Sequence, residues 1–139
     1  MSTSDIKKRA LRSAFTYLAV SLLCAVFGFI YELFSHGVFS PFMAFCFLPP
    51  LLFGVIPFLT VYFKGMYFPH RLAYNLYNSG VSALTAGFIF TGVLQIYGTT
   101  NRLSAVYYAA AAVFTVSGII LWIYGTGKDK KTLEKNKNV

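Results

Sequence analysis

Four long stretches without a single Lys, Arg, Asp or Glu, at residues 13–31, 37–63, 72–101 and 103–127, constrain this chain more than any other feature. Each is long enough to supply the roughly 20 apolar residues that cross a hydrocarbon core about 30 Å thick. The remaining charges are placed with a strong bias. Lys7, Lys8, Arg9 and Arg12 precede the first stretch, Lys64 and Arg71 separate the second from the third, and Lys128, Lys130, Lys131, Lys135 and Lys137 follow the fourth. Of the 12 Lys and Arg, only Arg102 falls on a different junction. Four crossings bring all the others to one side, which the positive-inside rule makes cytoplasmic.

With 57% hydrophobic and 12% charged residues, the composition lies outside the range of soluble domains. The 139 residues leave room for four spans, tight connections and two short tails. The expected fold is all-α: a polytopic membrane four-helix bundle, antiparallel and up-down. Its spans are placed at about 11–34, 41–63, 72–97 and 103–124, with residues 1–10 and 128–139 as cytoplasmic basic tails. The first span continues apolar past Tyr31, too long for a signal-peptide core, and is read as retained. A net charge of +8 would suit nucleic acid, but cations confined to span ends point instead to orientation and to anionic lipid. The expected partners are the bilayer, anionic lipids at its cytoplasmic face, and a second copy or another membrane protein.

Local punctuation agrees with these boundaries. Gly37 suits the left-handed end of a helix, and Ser40-Pro41 offers an N-cap followed by proline at the first helical position. Gly65 and Pro69 read as a stop and a restart. Gly98 reads as another stop, with Thr99, Thr100 and Asn101 as caps for the fourth span, which is expected to close before Gly125-Thr126-Gly127. The second span is different. Pro49, Pro50 and Pro57 each remove a donor and crowd the carbonyl four residues back, so the carbonyls of Phe45, Cys46 and Phe53 lose their helical partners. In hydrocarbon those groups must be satisfied by a neighbour, which predicts a kink that faces protein. Tyrosines complete the pattern: Tyr31, Tyr97, Tyr107 and Tyr108 fall near one membrane face, and Tyr62, Tyr67, Tyr74, Tyr77 and Tyr124, with Trp122, fall near the other.

Glu32 is the only acidic residue between Arg12 and Lys128, and an ionisable group in a span is a functional candidate. His36 follows at i,i+4. Ser13, Tyr17, Ser21, Ala25, Gly28 and Glu32 share a face of small or polar residues. Two readings stay open: a cation- or proton-binding carboxylate, grouped with Gln95 and Arg102, or a structural carboxylate paired with His36 or Arg102. In the third span, Arg71, Asn75, Asn78, Ser82 and Thr85 recur at spacings of four and three and read as an inner polar face. Ser79, Ala83, Gly87, Thr91 and Gln95 form an adjacent row at strict i+4 spacing, read as a helix-packing surface against the kink or another subunit.

Cys24 and Cys46 lie inside spans and read as small apolar residues. His36 and His70 fall at opposite membrane faces, which argues against one shared haem or metal. No cofactor, metal site or catalytic set is expected, and the balance leans away from an enzyme.

Three segments, Tyr31-Glu32-Leu33-Phe34-Ser35-His36-Gly37-Val38, Arg71-Leu72-Ala73-Tyr74-Asn75-Leu76-Tyr77-Asn78-Ser79-Gly80 and Ile96-Tyr97-Gly98-Thr99-Thr100-Asn101, resemble a group of small four-span membrane proteins from Gram-positive bacteria. That resemblance implies a bacterial cytoplasmic membrane and carries no activity. The leading functional expectation is an accessory or scaffold protein acting through helix association in the bilayer. The alternative is a small-solute or ion transporter or channel formed by an oligomer, with Glu32 as its ionisable group.

Overall fold

The computed structural model of the chain describes residues 3–65 and 67–139. It is all-helical, with four helical segments long and apolar enough to cross a membrane: Ser4–Leu33, Pro41–Lys64, Arg71–Ile96 and Ser104–Lys137. The first is a single helix, α1 (Thr3–Leu33). The second is broken into α2 (Pro41–Ala44), α3 (Leu48–Pro50), a π-helical turn (Leu51–Val55) and α4 (Ile56–Lys64). The third and fourth are α5 (Arg71–Ile96) and α6 (Ser104–Lys137).

The connections use the residues expected of them. Ser40 caps α2, its Oγ accepting from Met43 N at 3.4 Å, with Pro41 at the first helical position. Gly65 ends α4 at φ 63°, and Gly98 lies just beyond α5 at φ 73°. Asn101 Oδ1 accepts from Leu103 N at 2.9 Å ahead of α6. Short connections force antiparallel neighbours, and the contacts obey that rule. Along α5 and α6, His70, Tyr77, Gly80 and Gly87 meet Gly125, Gly118, Thr115 and Tyr107 in turn. Against α1, the broken span places Met43 at Gly28, Phe47 at Ser21 and Gly54 at Tyr17. The order is therefore up-down-up-down.

The broken span lies between α1 and α5, whereas α6 packs mainly on α5, with Trp122 reaching Phe58 of α4. Close approach explains the tightest pair. A Cβ on Gly80 would stand 2.6 Å from Thr115 N, and one on Gly118 equally near Tyr77 N, so these crossings bring backbone against backbone. Only 11% of the apolar window of α6 is buried, the least of the four, which leaves this helix mostly open to its surroundings.

The break behaves as the prolines demand. Phe45 O accepts from Leu48 N at 3.0 Å in a tightened turn, and Phe47 O accepts from both Leu51 N and Ser21 Oγ. Because Pro57 has no N–H, Phe53 O takes the Tyr77 hydroxyl at 2.6 Å instead. Ile56 N reaches back five residues to Leu51 O, which produces the π turn. Pro49, Pro50, Gly54 and Val55 are buried, so the bend faces protein. Gly54 is required there, since any Cβ would overlap the Tyr17 ring.

One expected boundary is corrected. The helix of the fourth span does not stop at Gly125-Thr126-Gly127; α6 continues to Lys137. Gly125 acts as a contact, with a would-be Cβ only 2.5 Å from the His70 ring, and Thr126 turns its hydroxyl back to Trp122 O. Beyond them Lys130, Lys131, Leu133, Glu134 and Lys135 are strong helix formers. The residues expected as N-terminal tail are likewise helical from Thr3.

Phe58, fully buried on α4, is the hub of this architecture. Its ring lies 5.7 Å from those of Tyr17 and Tyr74, 6.0 Å from Phe68, 6.1 Å from Trp122 and 6.5 Å from Tyr77. Every long helix and the connection before α5 thus touch one side chain. In lipid, packing rather than exclusion from water holds helices together, so losing this ring removes contacts from all of them. Phe58→Ala is expected to lower the thermal unfolding midpoint in detergent well below that of Phe63→Ala, whose ring is 77% exposed. Equal midpoints for the two variants would show that the cluster does not organise the fold.

Candidate functional site

The first candidate group assembles at the turn between α1 and α2, around a serine that the sequence marks only as a cap. Ser40 is fully buried. Its N–H donates to Glu32 Oε1 at 3.0 Å, and its hydroxyl donates to Gln95 Oε1 at 2.7 Å while capping Met43. Glu32 and Gln95, expected together, do converge, but through Ser40. The anticipated pairing of Glu32 with His36 or Arg102 does not form among the described residues. Helix α1 ends at Leu33, so His36 leaves the helical face; it stands at φ 57°, exposed, with Nδ1 2.8 Å from Phe34 O. Arg102 is exposed on the opposite hairpin turn. Glu32 therefore acts as a capping acceptor that ties the start of α2 to the end of α1.

The polar stripe of α1 leads inward from there and is consumed by packing. A Cβ on Gly28 would stand 2.6 Å from Met43 O, Ser21 Oγ donates to Phe47 O at 3.1 Å, and the Tyr17 hydroxyl donates to Asn78 Oδ1. Ser13 Oγ and Tyr74 Oη share a hydrogen bond of 3.1 Å. Cys46 Sγ donates to Cys24 O at 3.2 Å, with both thiols buried and free.

On α5 the two expected rows divide differently from their periodicity. Gly87 and Thr91 face α6: a Cβ on Gly87 would lie 3.0 Å from Tyr107 Cβ, and Thr91 Oγ1 meets Tyr108 Oη at 3.0 Å. Gln95 points to Ser40, and Ala83 is half-buried. Of the inner polar face, Asn78 binds Tyr17, while Thr85 is buried with its hydroxyl bonded to Val81 O at 2.9 Å. Arg71, Asn75 and Ser82 are exposed, as is Ser79 from the packing row. The arrangement leaves a groove of about 450 Å³ between α1 and α5, lined by Thr16, Tyr17, Asn78, Ser82 and Thr85 over a floor that includes Pro50 and Val81.

Sequence reasoning missed Ser40 as the junction and Tyr74 as the partner of Ser13. The signals were present: a serine preceding a proline in a short turn, and a tyrosine one turn before Asn78. Comparison with family models, curated proteins and solved structures gives no match.

Glu32→Gln keeps an acceptor for Ser40 N–H and is expected to leave the unfolding midpoint in detergent nearly unchanged. Glu32→Leu leaves that N–H without its carboxylate acceptor and is expected to cost about 1–3 kcal/mol. A large loss in the Gln variant would show that the charge itself, rather than the hydrogen bond, matters to the fold.

Proposed function

We propose that this chain is a small accessory or scaffold protein of a bacterial cytoplasmic membrane, with both termini cytoplasmic. It associates with a second copy or another membrane protein through the face of α5 left uncovered in the monomer. One observation carries the reading. Asn75, Ser79, Ser82 and Ala86 are all exposed and follow one another at spacings of four, three and four along a helix apolar enough to span. A carboxamide and two hydroxyls facing acyl chains have no partner there. Facing another helix, each forms a bond worth about 0.6–2 kcal/mol, and the small side chains admit close backbone approach.

The neighbouring row gives the contrast that makes the reading specific. Gly87 and Thr91 are already covered by Tyr107 and Tyr108 of the same chain. They hold the α5–α6 hairpin together and leave the exposed stripe for association. The structural use of Glu32 supports the same reading, since its carboxylate has a partner within the fold.

The double variant Asn75→Leu/Ser82→Leu is expected to weaken association at least about tenfold in a membrane dimerisation assay, the loss of two interhelical bonds, with the monomer fold retained. Gly87→Leu is expected to unsettle the hairpin itself, seen as a lower unfolding midpoint. Association of the double variant at full strength would remove the basis of the proposal.

A further inference from the structure

We infer that the cationic end of the molecule holds an anionic phospholipid, its phosphate between α1, α5 and α6 and one acyl chain running down α6 into an apolar cleft beside α4. Two cavities carry this. The first, about 550 Å³, is lined by Arg9, Tyr67, His70, Arg71, Asp129 and Leu133 among others. The second, about 490 Å³, lies between α4 and α6 against Pro57, Val61, Ile119, Trp122 and Ile123.

The two are successive along one helix face. Ile119, Trp122, Ile123, Thr126, Asp129 and Leu133 recur at three- and four-residue spacings, the period of a single face of α6. The first three and Thr126 line the apolar cleft; Asp129 and Leu133 line the charged one. From Trp122 to Asp129 the helix rises about 10 Å, so a phosphate in the charged cleft would bring the first part of an acyl chain alongside the apolar one.

The chemistry of each cavity selects its occupant. In the charged cleft, the exposed Arg71 supplies a guanidinium group suited to phosphate oxygens, and Arg9 adds positive charge to the wall. Arg9 is also stacked 4.7 Å over the Phe68 ring, which fixes its approach. His70, the residue before α5, makes no side-chain capping bond, so the first-turn N–H groups of this long helix meet no side-chain cap from that residue. Asp129 is the one acidic residue lining the cleft, and its Oδ2 lies 3.4 Å from His70 Nε2. In the apolar cleft every hydroxyl is already spent: Thr60 on Ile56 O, Thr126 on Trp122 O and Tyr77 on Phe53 O. Nothing polar is offered to a ligand there, and an acyl chain asks for nothing polar. The inference requires only that the cationic end meet the bilayer surface, and it stands apart from association through α5.

Native mass spectrometry of the full chain, released from detergent with equal amounts of phosphatidylglycerol and phosphatidylcholine of matched chains, tests it. Preferential retention of phosphatidylglycerol is expected. Arg71→Ala should reduce that retention about tenfold, the scale of a lost charge-assisted bond. Ile123→Trp, which fills the apolar cleft, should reduce it as well. Ile119→Trp fills the same cleft one turn away and replaces that variant if its circular dichroism shows a lost fold. Lys135→Ala, outside both cavities, should change nothing, and Asn75→Leu/Ser82→Leu should weaken association without affecting lipid. Equal retention of the two lipids would overturn the inference. So would a loss in Lys135→Ala matching that in Arg71→Ala, which would mean diffuse attraction to basic tails. Displacement by equimolar inorganic phosphate, or indifference to both cleft-filling variants, would contradict an acyl-chain site.

Discussion

A peptide carbonyl inside hydrocarbon has no water to turn to, and the rest of this structure follows from how the second span meets that constraint. Three prolines strip donors from its middle, so the segment cannot satisfy itself as a continuous helix. Groups from other helices hold it: the Tyr77 hydroxyl of α5 completes Phe53 O, and Ser21 of α1 adds a second bond to Phe47 O, which also accepts from Leu51 N. The span is thus structurally dependent on both neighbours. That dependence places it between α1 and α5 and leaves α6 to pack on α5.

Satisfying the break also shapes the cavities. Tyr77 turns its hydroxyl toward Phe53 and its ring toward Phe58 and Trp122, so one residue closes the polar gap and joins the aromatic cluster. Trp122 in turn donates to Tyr67 O at 3.2 Å, fixing the connection that carries His70 and Arg71 to the cationic end. The polar groove between α1 and α5 and the apolar cleft between α4 and α6 lie on either side of this arrangement. Proposed association uses the first flank, and proposed lipid binding the second.

The parts legible in the sequence are those governed by local rules. Ser40-Pro41, Gly65, Gly98 and Asn101 end or begin helices because of what each residue's own backbone or side chain can do. Proline positions likewise identify which carbonyls are orphaned. The identity of the rescuing group is not local: Tyr77 reaches Phe53 only because α5 and the broken span take one particular register. Periodicity placed Gly87 and Thr91 on a packing face, yet nothing in a repeat of four names the helix that packs there. Glu32 and Gln95 were legible as candidates, whereas Ser40 between them was visible only as a cap. Gly125 misled because glycine at a helix end and glycine under a neighbouring ring look alike in sequence.

The dependence of Phe53 on Tyr77 admits a direct measurement. Phe27-Gly28 and Phe53-Gly54 are the only Phe-Gly steps in the chain, so labelling phenylalanine carbonyls with carbon-13 and glycine amides with nitrogen-15 gives two carbonyl signals in micelles. Replacement of Tyr77 by phenylalanine should move the Phe53 carbonyl upfield as its acceptor bond is lost, with the Phe27 signal, inside the unbroken α1, held still. A Phe53 carbonyl that keeps its shift in that variant would contradict the claim that a neighbouring helix completes the broken span.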